Sequence, residues 1–168
     1  APALALMSSG DLSPFIAEGF AEPAGVDVLW AGSAEGDDVR AVEVEAVGDG
    51  RFRALVSCSD GWSRHVTPSV PGRKAVDDML LALALVWRLG LDRDAAMDAL
   101  ERMAATHMRL EVVEAPCGAR VIDDSYNAAP ASMAASLDVL SQMACEGRRI
   151  AVLGEMGELG DEAARLHG

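Results

Sequence analysis

Two short polar segments of this chain carry residue types that could bind a polar ligand. The first reads Asp123-Asp124-Ser125-Tyr126-Asn127, and the second is the glycine-rich segment 154–160, which contains Glu155. Carboxylate, hydroxyl and amide groups hold sugar hydroxyls and amines by hydrogen bonds. A strand end followed by a helix cap accounts for the first segment equally well. A plain turn accounts better for the second, because its glutamates would repel a phosphate.

A strand–helix–strand order would bring these two segments together. Residues 121–123 and 150–153 predict two buried strands, and a helix predicted from about Ala131 to Ala144 joins them as a right-handed parallel crossover. Ligands of open parallel sheets bind beyond the carboxyl ends of the strands. We therefore expect an α/β domain with both polar segments at one edge of its sheet.

The preceding part of the chain has a different pattern. It predicts strands at 3–7, 27–30 and 62–67, a helix at 12–20 and a hairpin of 42–46 with 52–56 around a glycine turn. It also predicts a helix at 76–89 that ends at Gly90, and a helix capped by Asp92 whose apolar face is Ala95, Ala96, Ala99, Leu100 and Met103. Residues 104–108 have few structural signals and separate the two patterns. We therefore expect two domains, residues 1–108 and residues 109–168. Arg109 lies at their junction, where its planar guanidinium could clamp a phosphate, although most arginines are simply exposed.

Composition excludes several classes of partner. The chain has 14 basic and 27 acidic residues and a net charge of −13, which repels nucleic acid and anionic membranes. The cysteines and histidines are dispersed without metal-ligand spacing, so we expect no metal site, no disulfide framework and a reducing, cytoplasmic location (Cys58, Cys117, Cys145, His65, His107, His167). No GxxxxGK[ST] motif occurs, so the chain lacks the usual phosphate-binding loop.

Three segments resemble the Mur ligase family. They are VIDDSYNAAPASM at 121–133, RLEVV at 109–113 and AVLGEMGELG at 151–160. The Tyr126-Asn127 pair is similar to that of the branch which joins D-alanyl-D-alanine to UDP-N-acetylmuramoyl-tripeptide, using ATP and Mg²⁺, in peptidoglycan synthesis. The resemblance implies that residues 1–108 are the end of the central ATPase domain and residues 109–168 the start of the Rossmann-like C-terminal domain. Such a fragment would lack the phosphate loop, bind no cofactor by itself and be inactive alone.

The resemblance also implies roles for individual residues. Arg109 matches a contact to nucleotide phosphates, and Asp124 matches the carboxylate that holds the ribose. Tyr126 and Asn127 match the pair that lines the nucleotide side of the cleft, where Asn127 also faces the substrate. Glu155 matches an acidic residue on the substrate side.

Several positions depart from the family pattern. Lys74 and Asp78 stand at nucleotide-contact positions where the family has histidine and asparagine, and an aspartate cannot donate the hydrogen bonds of an amide. Ala75 and Ala129 each replace an asparagine, and Met108 replaces the glycine before the arginine. Two alternatives therefore stay open: a degenerate, non-catalytic Mur-like binding subunit, and a Mur ligase with another amino-acid substrate.

Overall fold

A computed structural model describes residues 3–8 and 26–168 of the chain. The helix predicted at 12–20 lies outside these residues. The described part contains the following elements: β1 (Ala3–Ser8), β2 (Val26–Gly32), β3 (Val39–Ala46), β4 (Phe52–Cys58), β5 (Ser63–Val66), α1 (Lys74–Arg88), α2 (Arg93–Arg102), β6 (Glu111–Glu114), β7 (Arg120–Asp123), α3 (Pro130–Gln142), a 3-10 turn (Gly160–Glu162) and α4 (Ala163–His167). This mixture of helices and strands confirms the predicted α/β class. None of the described helices is long and apolar enough to cross a membrane.

The first sheet has the strand order β1-β2-β3-β4-β5. Strands β1, β2 and β3 are parallel, whereas β3, β4 and β5 form an antiparallel meander that includes the predicted hairpin. The register of β3 against β4 shifts between Ala41 and Glu43. Val42 is the extra residue of this bulge and is exposed. The alternation of side chains shifts by one position there, so Ala41 before the bulge and Val44 after it both face the core.

Helix α1 packs on this sheet and supplies much of the core. Val76, Leu80 and Leu83 are fully buried there. The helix ends as predicted at a glycine: Gly90 has φ 67°, which costs a residue without Cβ little, and its N–H donates to the Trp87 carbonyl at 2.9 Å.

Helix α2 begins as predicted, since the Asp92 side chain accepts a hydrogen bond from the N–H of Ala95 at 3.0 Å. The predicted apolar face was partly wrong. Met97 is the fully buried residue of this helix, while Ala95 and Ala99 are exposed. The alanines add too little apolar area to decide which face is buried, so the longer Met97 side chain decides it.

The second sheet is the hairpin of β6 and β7. The sequence predicts it from the apolar segments 110–113 and 120–122 on either side of the turn Pro116-Cys117-Gly118. Its antiparallel register pairs Glu111 with Asp123 and Glu114 with Arg120. Helix α3 follows β7, also as predicted, and begins at Pro130, whose fixed φ suits a first helical position.

The strand predicted at 150–153 is absent. These residues form no strand in the structure, and Val152 is 94% exposed. Arg149 fixes where the segment starts, because its side chain donates to the carbonyls of Leu140 and Met143 at 2.9 and 2.8 Å, at the end of α3. The residues after it find no strand to pair with among those described, so the expected parallel pair does not form.

Helix α3 joins the second sheet to the first. Val139 and Met143 are almost fully buried, and they pack on the backbone of the hairpin turn at Gly50 and of Gly72. A Cβ placed on Gly50 would lie 2.9 Å from the Met143 Cγ, and one on Gly72 would lie 3.2 Å from the Val139 Cγ2. The N–H of Gly72 donates to the Gly50 carbonyl at 2.7 Å. The two sheets share no strand in the part described, and the domain boundary near 108 stays a prediction.

Candidate functional site

The start of the β6–β7 hairpin brings a cation and an aromatic ring together. The guanidinium carbon of Arg109 lies 4.3 Å from the centroid of the Tyr126 ring, a cation–π distance. The two segments are held together by the Tyr126 N–H, which donates to the Met108 carbonyl at 3.2 Å. The ring is 64% exposed, so both side chains are open to a ligand.

The backbone on both sides of Arg109 has an unusual conformation. Met108 and Leu110 have φ angles of 61° and 50°, in the left-handed region that residues with a Cβ rarely adopt. Such strain costs on the order of 1–3 kcal/mol per residue and persists only where the surroundings impose it. Here it turns the chain twice within three residues and directs Arg109 toward Tyr126.

Asp124 connects this turn to helix α3. Its Oδ1 accepts the N–H of Leu110 at 3.0 Å, and its Oδ2 accepts the hydroxyl of Ser136. The carboxylate is half-buried. Both oxygens therefore have a donor, one next to Arg109 and one on the helix.

Asp123 has a local structural role. Its Oδ1 accepts the hydroxyl of Ser125 at 2.6 Å and the N–H of the same residue at 3.1 Å. These hydrogen bonds from Ser125, with a smaller contribution from the charge of His107, hold the pKa of the Asp123 carboxyl below its usual value. The strand-end interpretation of the first polar segment thus holds for Asp123 but does not explain Asp124.

His107, Glu111 and Asp123 form one group of possible metal ligands, with ligand atoms all within 4.8 Å of one another. The Nδ1 of His107 lies 2.7 Å from a Glu111 oxygen, which also accepts the N–H of Met108 at 3.3 Å. The sequence gives no signal for this group, because Asp123 comes from a different segment that only the strand register brings next to Glu111. The contact of the His107 ring with Glu111 and the pairing of Glu111 with Asp123 across the hairpin account for the closeness of these three side chains.

The remaining predicted site residues are spread over other parts of the structure. Lys74 and Asp78 lie in the first turns of α1 and are exposed, and the Lys74 amine is 3.7 Å from the Asp77 carboxylate. Asn127 is exposed in the loop before α3. Glu155 is exposed and follows the unpaired segment 150–153, so the expected shared edge with Asp124 is not seen.

Comparisons with known proteins agree on one family. Residues 108–168 match the family described as Mur ligase, glutamate ligase domain. The structure resembles that of MurF from Acinetobacter baumannii, with a TM-score of 0.82 and 28% sequence identity. The match covers 98% of this chain and 34% of the MurF chain. The chain belongs to the Mur ligase family.

The chain matches only part of the length of known Mur ligases. The UDP-N-acetylmuramoyl-tripeptide–D-alanyl-D-alanine ligase of Bacillus subtilis is 33% identical over 96 residues, which are 57% of this chain and 21% of that protein. The Mycobacterium tuberculosis ligase of the same name is 37% identical over 144 residues, 83% of this chain and 26% of that protein. The UDP-N-acetylmuramate–L-alanine ligase of Mycolicibacterium gilvum is 32% identical over 120 residues, 71% of this chain and 25% of that protein. The chain thus spans roughly a quarter or less of these relatives.

Proposed function

We propose that this Mur ligase chain is part of an ATP-dependent amide ligase that joins D-alanyl-D-alanine to UDP-N-acetylmuramoyl-tripeptide in peptidoglycan synthesis. The observation that supports the proposal is that a cation and a carboxylate come from neighbouring positions at the start of the β6–β7 hairpin. Asp124 accepts the N–H of Leu110, the residue after Arg109, and the Arg109 guanidinium lies over the exposed Tyr126 ring. A cation for phosphate and an anion for ribose hydroxyls, side by side, suit a nucleotide.

Each residue of the site has a proposed task. The Arg109 guanidinium leaves the Tyr126 ring and binds nucleotide phosphates, for which its planar fork is suited. Asp124 accepts ribose hydroxyls, Tyr126 and Asn127 line the nucleotide side, and Glu155 faces the substrate. In the ligation, an oxygen of the tripeptide carboxylate attacks the terminal phosphorus of ATP and ADP leaves. The amine of D-alanyl-D-alanine then attacks the acyl carbon, loses a proton and displaces phosphate.

Magnesium is implied by the family, but the described residues do not offer it a suitable site. Mg²⁺ prefers an octahedron of oxygen ligands at short distance. The group at His107 offers an imidazole nitrogen, and its Glu111 oxygen is already bound by that imidazole and by a backbone N–H. We therefore assign no step of the reaction to a metal held by these residues.

Replacement of Arg109 in the complete ligase tests the proposal. Arg109→Ala should weaken the ATP-dependent step by roughly 1.5–3 kcal/mol, the contribution of a hydrogen bond to a charged group, while leaving the KM for D-alanyl-D-alanine unchanged. Asp124→Asn should act in the same direction but less, because an amide still accepts a hydrogen bond. Arg148→Ala, at an exposed arginine after α3, is the matched control. Wild-type dependence on ATP in both site variants would contradict the assignment.

Two other functions have specific support and are tested with the same protein. The departures at Lys74, Ala75, Asp78 and Ala129 favour a non-catalytic binding subunit, which would show no ATP-dependent ligation with any amine. The similarity to L-alanine ligases favours another amine substrate. Comparing L-alanine with D-alanyl-D-alanine as acceptors separates that case from our proposal. We also expect the 168-residue chain alone to turn over no ATP, because its sequence has no phosphate-binding loop.

A further inference from the structure

We infer that Ser136 is a positioning residue, which holds the Asp124 carboxylate in the orientation that a nucleotide ribose requires. The inference deepens the proposed function and rests on it for the identity of the ligand. The Ser136 hydroxyl donates to Oδ2 of Asp124 while the Leu110 N–H donates to Oδ1 at 3.0 Å. A carboxylate with a donor on each oxygen has lost its freedom to rotate about the side-chain bonds.

The direction of the Ser136 hydroxyl is itself fixed by apolar packing. Val139 and Met143 lie three and seven residues after Ser136, so all three share one face of α3. That face is seated on Gly50 and Gly72, where Val139 is 1% and Met143 6% exposed. The helix therefore cannot roll without opening this contact, and the hydroxyl keeps its place.

The two segments that donate hydrogen bonds to Asp124, helix α3 and the start of the hairpin at Leu110, both contact Gly72. A Cβ at Gly72 would lie 3.2 Å from Val139 on the helix and 3.6 Å from the Leu110 Cδ1 at the start of the hairpin. Gly72 thus lies between the two segments that hold the carboxylate. The position of Asp124 is consequently set relative to the first sheet as well as within its own hairpin.

The hydroxyl has a choice of acceptors, and charge favours the carboxylate. The Ser136 oxygen is also 2.9 Å from the Ser132 carbonyl one turn earlier in the helix. A serine has a single hydroxyl proton, and a hydrogen bond to an ionised acceptor is about twice as strong as one between neutral groups. The proton therefore points to Asp124, and the serine is bound to the site in preference to its own helix.

Fixing the carboxylate in advance lowers the cost of binding nucleotide. Immobilising one side chain costs roughly 0.5–1.5 kcal/mol on binding, which corresponds to a factor of about 2–12 in affinity. We therefore expect Ser136→Ala to raise the KM for ATP by about 2- to 12-fold without changing kcat, whereas Ser136→Thr, which keeps the hydroxyl, should restore the wild-type KM.

The experiment has two readouts, and the first needs no activity. In the 168-residue chain, NMR should show the Leu110 amide proton shifted upfield and exchanging faster in Ser136→Ala, in the direction of an Asp124→Ala benchmark. Ser141→Ala is the matched control, because Ser141 is on the same helix and its hydroxyl donates to the Asp138 carbonyl at 2.8 Å rather than to Asp124. The Gly118 amide, bonded to the Ala115 carbonyl at 2.8 Å, reports whether the hairpin remains folded.

The outcomes separate this inference from the proposed function. A Leu110 amide that does not respond to Ser136→Ala overturns the positioning role, whatever the enzyme does. An equal response to Ser141→Ala overturns it too. If Leu110 responds as expected but the complete wild-type protein forms no amide with ATP, the proposed function fails while the hold of Ser136 on Asp124 stands. A KM change in Ser136→Ala that Ser136→Thr does not reverse would contradict the role of the hydroxyl.

Discussion

Replacing Gly72 by alanine should destabilise the contact between the two sheets. Gly72 has φ 99°, a conformation that residues with a Cβ rarely adopt. A Cβ at this position would lie 3.2 Å from the Val139 Cγ2, which is closer than ordinary van der Waals contact. The substitution therefore combines backbone strain with crowding of a side chain that is 1% exposed and has little room to move.

The expected loss follows from these two contributions. A left-handed residue with a Cβ costs roughly 1–2 kcal/mol, and overpacking a filled site costs typically about 1–3 kcal/mol. The Val139 methyl needs to move only a few tenths of an ångström, so we take the low end for crowding. Gly72→Ala should then lower the free energy of unfolding by about 2–3 kcal/mol.

Gly61 offers a control for the backbone contribution alone. Its φ is 94°, close to that of Gly72, but no heavy atom lies within 4 Å of the Cβ that alanine would add. Gly61→Ala should therefore cost only the strain, about 1–2 kcal/mol. Urea unfolding should place the midpoint of Gly72→Ala below that of Gly61→Ala by roughly 0.3–1 M, given a typical dependence of about 1–3 kcal/mol per molar urea.

A second substitution identifies the partner of the added methyl group. In a Val139→Ala background the crowded methyl is gone, so Gly72→Ala should cost less there than in the wild type. Non-additivity of this kind is expected for residues in contact. Equal losses for the two glycine variants, or full additivity with Val139→Ala, would refute the reasoning that α3 is seated on Gly72.

Two further predictions concern titratable groups. Burial raises the pKa of the Cys58 thiol, whereas Cys117 and Cys145 are exposed. In the folded chain a maleimide should therefore modify Cys117 and Cys145 much faster than Cys58. Equal rates at all three cysteines would contradict this prediction. The Arg64 guanidinium lies 2.5 Å from Asp98 and holds the pKa of that carboxyl below its usual value. The ion pair therefore stabilises the folded chain fully above about pH 4, the ordinary pKa of an aspartate. This stabilisation is lost as the pH falls through the lower pKa of the folded state. Asp98→Asn should therefore be less stable than wild type at neutral pH and lose less stability on acidification; parallel pH profiles in urea unfolding would count against the pairing.

The parts of the fold that could be predicted from the sequence depend on neighbours in the chain. The Asp92 cap and the Gly90 helix end are decided within one turn of helix. The hairpins are decided by the alternation of two adjacent segments and the turn between them. The predicted face of α2 was partly wrong because the spacing of apolar residues counts alanine and methionine alike, whereas the larger apolar area of Met97 decides which side is buried.

In the candidate site too, positions set by neighbours in the chain could be predicted, and positions set by distant packing could not. Arg109 and Asp124 adjoin the two strands of one hairpin, and the observed pairing of Glu111 with Asp123 places the next residues, Leu110 and Asp124, side by side. Ser136 was not found, since a serine within a helix has no signal of its own. Its role depends on how α3 is rotated, which is decided by packing on Gly50 and Gly72, far away in the sequence.

The segment 150–153 explains why Glu155 does not lie beside Asp124 as the sequence predicted. Its apolar residues have the composition of a buried strand, but composition says only that they favour burial and not which elements bury them. Strands β6 and β7 pair with each other, and in the described part of the chain neither extends its ladder to this segment. The contact of Arg109 with Tyr126 and the bonds of Asp124 lie within one hairpin and one helix, so they form without the parallel pair. The predicted position of Glu155 required that pair, and it is this residue that stands apart from the others.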